Sequence, residues 1–319
     1  MTLAELLQSV RRVEVRTNRL VTDMMVGAYL SHFKGRGMDF EELREYMPGD
    51  EVRDIDWNVT NRMGRPFVKR YREERELAMV LALDVSASST FGSLRRTKRE
   101  FAVEIAATLA TSAARSSDKV GLLLFTDQVE LFVPPRKGRR HILRLLREML
   151  SFEPNHRATN IPAALTFLNR VLRQRSVVFL LTDFLHSFGF AATPLSQEKA
   201  GPAMPWSGAN PGRDTLQELG LTNARHDLVC VHLHDPRESS LPAAGLLTIE
   251  DAETGELLEM DSSRAAVREK FASTNAERLA ELDRGLRRAG VDTLRFSTAE
   301  SFAQPLQRFF ETRRGRRRG

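Results

Sequence analysis

The chain has 319 residues, of which 41% are hydrophobic, so it can bury a large core and is not disordered as a whole. Lys and Arg number 48 and Asp and Glu 42, but five of the 48 are arginines within the last seven residues. The rest of the chain is therefore close to neutral, which argues against a broad basic surface for nucleic acid.

The chain has one cysteine, Cys230, so no disulfide can form within it. Residues 1–30 mix Arg, Glu and Asp into an apolar pattern, which is unlike a secretory signal. No apolar stretch approaches the length that spans a bilayer. These features predict a soluble, cytoplasmic protein.

Residues 1–75 predict a first region of helices and one extended segment. Apolar residues recur at helical spacing between residues 3 and 30, and residues 66–71 have the pattern of a strand. The intervening charged stretch is expected to form buried ion pairs that join this region to the next domain, and a partner-recognition surface is the alternative. Its residues are Arg44, Asp50, Arg53, Asp54, Asp56 and Trp57.

From residue 76 to residue 312, strands and helices alternate, which is typical of an α/β domain with a mostly parallel central sheet flanked by helices. The unbroken apolar runs Leu77–Leu83 and Val177–Leu181 indicate strands that are buried on both faces. Further strands are predicted at residues 120–125, 129–133, 228–233 and 291–296, with a hairpin at 246–260. Helices are predicted at residues 94–115, 141–150, 161–173, 216–224 and 264–289.

Three features near the end of the domain lead to further expectations. The stretch 187–213 is rich in Gly, Pro, Ser and Ala and predicts a long inserted loop. A disordered loop without a role is favoured over a lid or a partner-specific loop. Ser297-x-x-Glu300 has the pattern of a capping box that opens a final helix ending at Phe310. Residues 313–319 form a basic tail, for which a solvated end is favoured over contact with nucleic acid or anionic lipid.

Oxygen-bearing side chains follow the first buried strand at alternate positions, Asp84, Ser86 and Ser88. Ligands of open α/β sheets bind outside the carboxyl ends of the strands. Thr159, just before a helix, and Asp183, after the second buried strand, complete a set of two carboxylates and three hydroxyls. Such a set suits Mg²⁺ or Mn²⁺ and leaves the ion able to accept an acidic ligand from outside. Ordinary polar caps at strand ends are the alternative.

The order Asp84-x-Ser86-x-Ser88, Thr159, Asp183 resembles the metal-ion-dependent adhesion site of von Willebrand factor A domains, with all five positions filled. The resemblance implies a Rossmann-like fold. It also implies that the Ser and Thr hydroxyls coordinate the metal directly, whereas the aspartates often act through water.

Seven further motifs stand out between residue 33 and residue 255: Phe33-Lys-Gly-Arg-Gly37, Arg44-x-Tyr46-x-x-Gly49-Asp50, Arg53-x-Ile55-Asp56-Trp57, Asn61-Arg62, His226-Asp227, Asp235-Pro236-x-Glu238 and Glu253-x-Gly255. With these motifs the chain resembles the bacterial family called domain of unknown function fifty-eight, from about Ala28 to the end of the chain. The resemblance implies a von Willebrand A domain associated with AAA+ ATPases of the MoxR type, and an adaptor or co-chaperone role.

An enzyme is not expected. A phosphatase of the haloacid dehalogenase type needs a second carboxylate two residues after its nucleophilic aspartate, and Ser86 occupies that position after Asp84. Neither a phosphate-binding loop nor a nucleophile elbow occurs in the sequence. A Mg²⁺-dependent hydrolase using Asp84 remains the alternative.

Two histidines, His232 and His234, lie on one face of a predicted strand, and Asp235 follows them. This arrangement allows a second metal site. Histidines that hydrogen-bond at a strand end are the favoured interpretation.

Overall fold

The computed structural model describes residues 39–72, 77–94, 96–185 and 211–316. The helices predicted between residues 3 and 30, residues 187–210 of the predicted insertion and residues 317–319 of the tail lie outside these ranges. In the described ranges, no helix combines the length and the apolar character needed to cross a membrane.

The first described region is a two-stranded antiparallel sheet with one short helix. Strand β1 (Asp39–Glu45) pairs with β2 (Phe67–Arg72), and α1 (Trp57–Met63) lies between them in the chain. The Asp56 side chain caps α1 by accepting backbone N–H groups of its first turn. The region therefore forms its own regular secondary structure.

Two acids of the charged group have partners within this region. Arg44 makes a two-pronged ion pair with Asp50, with N–O distances of 2.6 and 2.9 Å. Asp56 serves as the cap of α1, and Trp57 is 61% exposed. The expectation that this whole group is buried is therefore wrong for Arg53, Asp54 and Trp57, which are exposed. Trp57 is exposed because it lies in the first turn of a surface helix.

Eight strands follow in the described part of the chain, and six of them form the central sheet. They are β3 (Ala78–Asp84), β4 (Lys119–Phe125), β5 (Val129–Arg136), β6 (Val177–Thr182), β7 (Asp227–His234), β8 (Leu246–Glu250), β9 (Leu257–Asp261) and β10 (Asp292–Ser297). The sheet order is β10-β7-β6-β3-β4-β5, with β5 antiparallel to β4 and the other pairs parallel. The predicted mostly parallel α/β sheet is confirmed.

The helices of this domain cover both faces of the sheet. They are α2 (Lys98–Arg115), α3 (Arg139–Ser151), α4 (Ile161–Val171), α5 (Pro211–Arg225), α6 (Pro236–Ser239), α7 (Ala265–Arg288) and α8 (Ala303–Arg316). Leu81 of the central strand β3 points into a core shared with α2, α3 and α8, and its neighbour Val80 into a core shared with α4, α5 and α7. Strand β3 is apolar throughout because it is buried on both sides.

Helix α2 begins four residues later than predicted, at Lys98. The hydroxyl of Thr97 accepts the Glu100 N–H (3.1 Å), and the Glu100 carboxylate accepts the Thr97 N–H (2.9 Å). This capping box fixes the first turn of the helix and sets Lys98 in it. Helix α5 begins at Pro211, inside the stretch predicted as an insertion.

The predicted start of the final helix is wrong. Ser297 ends strand β10, and the Glu300 N–H donates to its carbonyl oxygen in a turn, so the helix begins only at Ala303. The helix also continues past Phe310 to Arg316. Arg313, predicted to belong to a basic tail, pairs with Asp227 and Asp292 at 2.6 Å each. These two ion pairs fasten the end of α8 to the sheet.

Truncation of Leu81 to alanine tests the two-sided burial of β3. Leu81 has no exposed surface, so we expect Leu81→Ala to lower the free energy of unfolding by about 2–5 kcal/mol, measured by urea denaturation. The control is Leu246→Ala on the hairpin, where the side chain is 69% exposed and the loss should stay within about 0.5 kcal/mol. Equal losses in the two variants would contradict the assigned core.

Candidate functional site

The two predicted carboxylates lie side by side at the carboxyl edge of the sheet. Asp84 is the last residue of β3, and Asp183 directly follows β6, the neighbouring parallel strand. Both side chains are buried, at 4% and 8% exposure. The parallel pairing, with Leu83 beside Leu181, brings these two acids to one place.

The loop after β3 adds the two serine hydroxyls. The Ser86 N–H donates to Asp84 Oδ1 (2.9 Å), which folds the chain back over the strand end. The hydroxyl oxygens of Ser86 and Ser88 are 3.2 Å apart, and both side chains are buried. The hydroxyl of Thr182, which was not predicted as a site residue, donates to Asp84 Oδ2 (2.6 Å).

A left-handed residue turns the backbone at Asp183. Phe184 has a φ of 54°, which is rare for a bulky side chain. This turn lets the Leu185 N–H donate to Asp183 Oδ1 (3.0 Å), while the Phe184 ring packs against His232. Strained residues of this kind cluster at functional sites.

Thr159 lies in the loop before α4, and two backbone hydrogen bonds hold that loop at the same edge. The Ala87 N–H donates to the Arg157 carbonyl (2.9 Å), and the Asn160 N–H donates to the carbonyl of Thr126 after β4 (2.9 Å). The Thr159 hydroxyl donates to Glu253 Oε1 (2.6 Å). The loop of Thr159 is thus tied to the serine loop, and its hydroxyl binds an acid from the β8–β9 hairpin.

A buried lysine that the sequence analysis missed completes the site. Lys98 in the first turn of α2 is 1% exposed, and its Nζ donates to Asp183 Oδ2 (2.5 Å) and to Glu238 Oε1. Glu238 Oε2 in turn accepts the Asp235 N–H (2.9 Å) in the capping box of α6. The motif Asp235-Pro236-x-Glu238 therefore aims a carboxylate at Lys98, and this motif was the available signal in the sequence.

Burial and charge shift the pKa values of the site. Burial, together with the Asp183 carboxylate, raises the pKa of Asp84 to about 6. Burial also acts to raise the pKa of Asp183, but the Lys98 ammonium outweighs it and holds that pKa below its usual value. Burial, with Asp183 adding repulsion, raises the pKa of Glu253 to about 7 despite the Thr159 hydrogen bond. Burial is thus the largest influence on all three carboxyl groups, and only at Asp183 does a cation overcome it.

The donor set fits a hydrated hard cation. Among the described residues, no three His, Cys, Asp or Glu side chains form a ready ligand set, so a metal would depend on hydroxyls and water. Mg²⁺ binds in that way, through one or two carboxylates and several waters. Asp183 interacts electrostatically with three other acids and with two cations, so it is the most strongly coupled group of the site: Asp84, Glu238 and Glu253, and Lys98 and Arg278.

The paired histidines have no ligand set around them in the described ranges. The Nδ1 atoms of His232 and His234 are both buried without a hydrogen-bond partner in the described part of the chain, and a backbone hydrogen bond joins His234 to Phe296. Burial, followed by the charge of Arg295, lowers the pKa of His232 to about 3. The predicted hydrogen bonding thus applies to His234, and His232 is a neutral core residue.

Sequence comparison places the chain among uncharacterised proteins. The profile of the family described as "Protein of unknown function DUF58" matches residues 42–281. An uncharacterised protein of Mycobacterium bovis is 29% identical over 97% of this chain and 90% of its own length, and one of Mycobacterium tuberculosis matches equally.

Two solved structures are similar to this chain with low sequence identity and low TM-scores. The BatB protein of Bacteroides thetaiotaomicron is 12% identical with a TM-score of 0.44, covering 74% of this chain and 98% of its own. The VWA domain of SpRpn10 is 10% identical with a TM-score of 0.36, covering 73% and 94%. Likeness at this level does not bear on function.

Removal of the buried ammonium tests its structural role. Lys98→Met leaves Asp183 and Glu238 buried without their counter-charge, and we expect a loss of about 3–5 kcal/mol in urea unfolding. Arg147→Met, which removes an exposed ion pair with Glu148, is the control and should cost less than about 1 kcal/mol. A loss as small in Lys98→Met as in the control would refute the buried pairing.

The buried His232 predicts a pH-dependent stability. Its pKa is about 3 in the folded chain and near 6.5 when unfolded, so between these values the unfolded chain binds more protons. Stability from this group is complete above pH 6.5 and falls by up to about 1.4 kcal/mol per pH unit below it. Charged or titratable groups facing it are Arg295, His234, Asp183 and Arg278.

The variant His232→Leu isolates this contribution. Urea unfolding of both proteins between pH 6.5 and 4.5 should show the wild type losing more stability than the variant, because other groups titrate in both. Parallel pH profiles for the two proteins would mean that His232 is protonated in the folded chain.

Proposed function

The chain belongs to the DUF58 family of proteins of unknown function, and we propose that it is a divalent-metal-dependent protein-interaction module. Asp84, Ser86, Ser88, Thr159 and Asp183 hold Mg²⁺ or Mn²⁺ in this proposal. The metal keeps an open coordination position for a carboxylate of a partner protein.

The observation that carries the proposal is the buried pair of hydroxyls between two acids. Ser86 Oγ and Ser88 Oγ lie 3.2 Å apart, buried, in the loop that begins at Asp84. A Ser88 hydrogen bond also reaches Asp183. Polar caps at strand ends need no such convergence of four oxygen-bearing side chains, whereas a hard cation does.

Charge explains why the ion would favour an acidic partner. The ammonium group of Lys98 already pairs with the Asp183 carboxylate. The five proposed ligands therefore bring little negative charge to the metal. A divalent ion with such ligands keeps part of its positive charge and attracts an external carboxylate. The partner implied by the sequence motifs is a MoxR-type AAA+ ATPase or its client, and we propose this ATPase as the first candidate.

Metal titration tests the proposal directly. Isothermal titration of the full chain with Mg²⁺ should detect one site, and Asp84→Asn should weaken it by about 10–100-fold because a charged ligand becomes neutral at constant shape. Asp214→Asn, an exposed acid on α5, is the matched control and should bind as the wild type does. Absence of Mg²⁺ and Mn²⁺ binding in the wild type would refute the metal site.

The partner is tested separately with a purified MoxR-type ATPase from the same source. We expect retention on immobilised wild-type chain in Mg²⁺, and loss of retention in EDTA or with Asp84→Asn. Retention that is equal in all three conditions would rule out a metal bridge between the two proteins.

A further inference from the structure

The turn of the β8–β9 hairpin is held in one conformation. The Asp251 side chain accepts the N–H groups of Glu253 and Thr254, each at 2.9 Å. The Gly255 N–H donates to the Asp251 carbonyl (2.7 Å), and Gly255 has a φ of 75°, a conformation that favours glycine. The motif Glu253-x-Gly255 therefore describes a turn that fixes the backbone of Glu253.

Glu253 is aimed at the candidate metal site. Its carboxylate accepts both the hydroxyl (2.6 Å) and the backbone N–H of Thr159, across 94 positions of sequence. The side chain is only partly exposed, and it lies close enough to Asp183 for the two carboxylates to repel each other. The hairpin acid therefore lies between the loop of one proposed metal ligand, Thr159, and the neighbourhood of another, Asp183.

We propose that Glu253 is a sixth residue of the metal site, an acidic group that the chain supplies from its own hairpin. This inference rests on the proposed metal site. With a cation present, the Glu253 carboxylate fixes the Thr159 hydroxyl as a metal ligand and binds the ion itself or through water. Glu253 would then compete with a partner's carboxylate for the open coordination position of the ion.

The surroundings of Glu253 agree with this role. Its carboxylate is partly buried beside Thr159 and close to Asp183. Opposite charges attract more strongly in such surroundings than in bulk water, so a cation held at this edge would interact favourably with the hairpin acid.

Mn²⁺ titration of the full chain, followed by the electron paramagnetic resonance signal of the free ion, tests the proposal. Glu253→Gln keeps the shape of the side chain, and we expect it to weaken Mn²⁺ affinity by about tenfold or more. The control is Glu256→Gln, in the same turn but exposed, which should bind Mn²⁺ as the wild type does. Hydrogen exchange of residues 251–256 should slow on adding Mg²⁺ in the wild type and stay unchanged in Glu253→Gln.

The outcomes separate this inference from the proposed function. Wild-type Mn²⁺ affinity in Glu253→Gln, with the hairpin still protected by Mg²⁺, would overturn the role of Glu253 and leave the five-residue site intact. Failure of the wild type itself to bind Mn²⁺ would overturn both. Weaker binding in Glu253→Gln alone, with the control unchanged, would support a six-residue site.

Discussion

One buried ammonium group organises the functional edge of this protein. Lys98, in the first turn of α2, bonds to Asp183 after β6 and to Glu238 in α6, so a single cation joins three elements from distant parts of the chain. Burying a charge is costly unless it is paired and hydrogen-bonded, and here both partners are themselves held by backbone N–H groups. The edge of the sheet is thereby set before any ligand binds.

The same ion pair defines what the site can do. Because Lys98 neutralises Asp183, two buried acids can stand side by side at the ends of β3 and β6. Burial, with repulsion from Asp183, raises the pKa of Asp84 to about 6, so a cation bound there would stabilise its charged form. The buried serine hydroxyls beside it are hard oxygen donors. One cluster of side chains therefore serves two purposes. Lys98 stabilises the buried acids, and the serine hydroxyls are proposed to bind the metal.

The sequence predicted correctly those features of the fold that depend on residues close together in the chain. The apolar runs of β3 and β6 predicted buried parallel strands, and the polar residues after them predicted which side chains would meet at the sheet edge. Lys98 lies in none of the motifs, and a lone Lys is usually solvated, so its burial against Asp183, 85 positions away, could not be predicted. Glu253 stands out only as part of the motif Glu253-x-Gly255, which does not reveal its contact with Thr159, 94 positions away. The Ser297 pattern misled because a capping box and a strand end use the same residue types.

Diffraction from crystals grown with Mn²⁺, recorded for its anomalous signal, would test the central claim most directly. The account predicts an anomalous peak at the carboxyl edge of the sheet, bound by the hydroxyls of Ser86, Ser88 and Thr159, with Lys98 still on Asp183. A fully ordered edge with no Mn²⁺ peak, or with Mn²⁺ bound elsewhere on the chain, would contradict it.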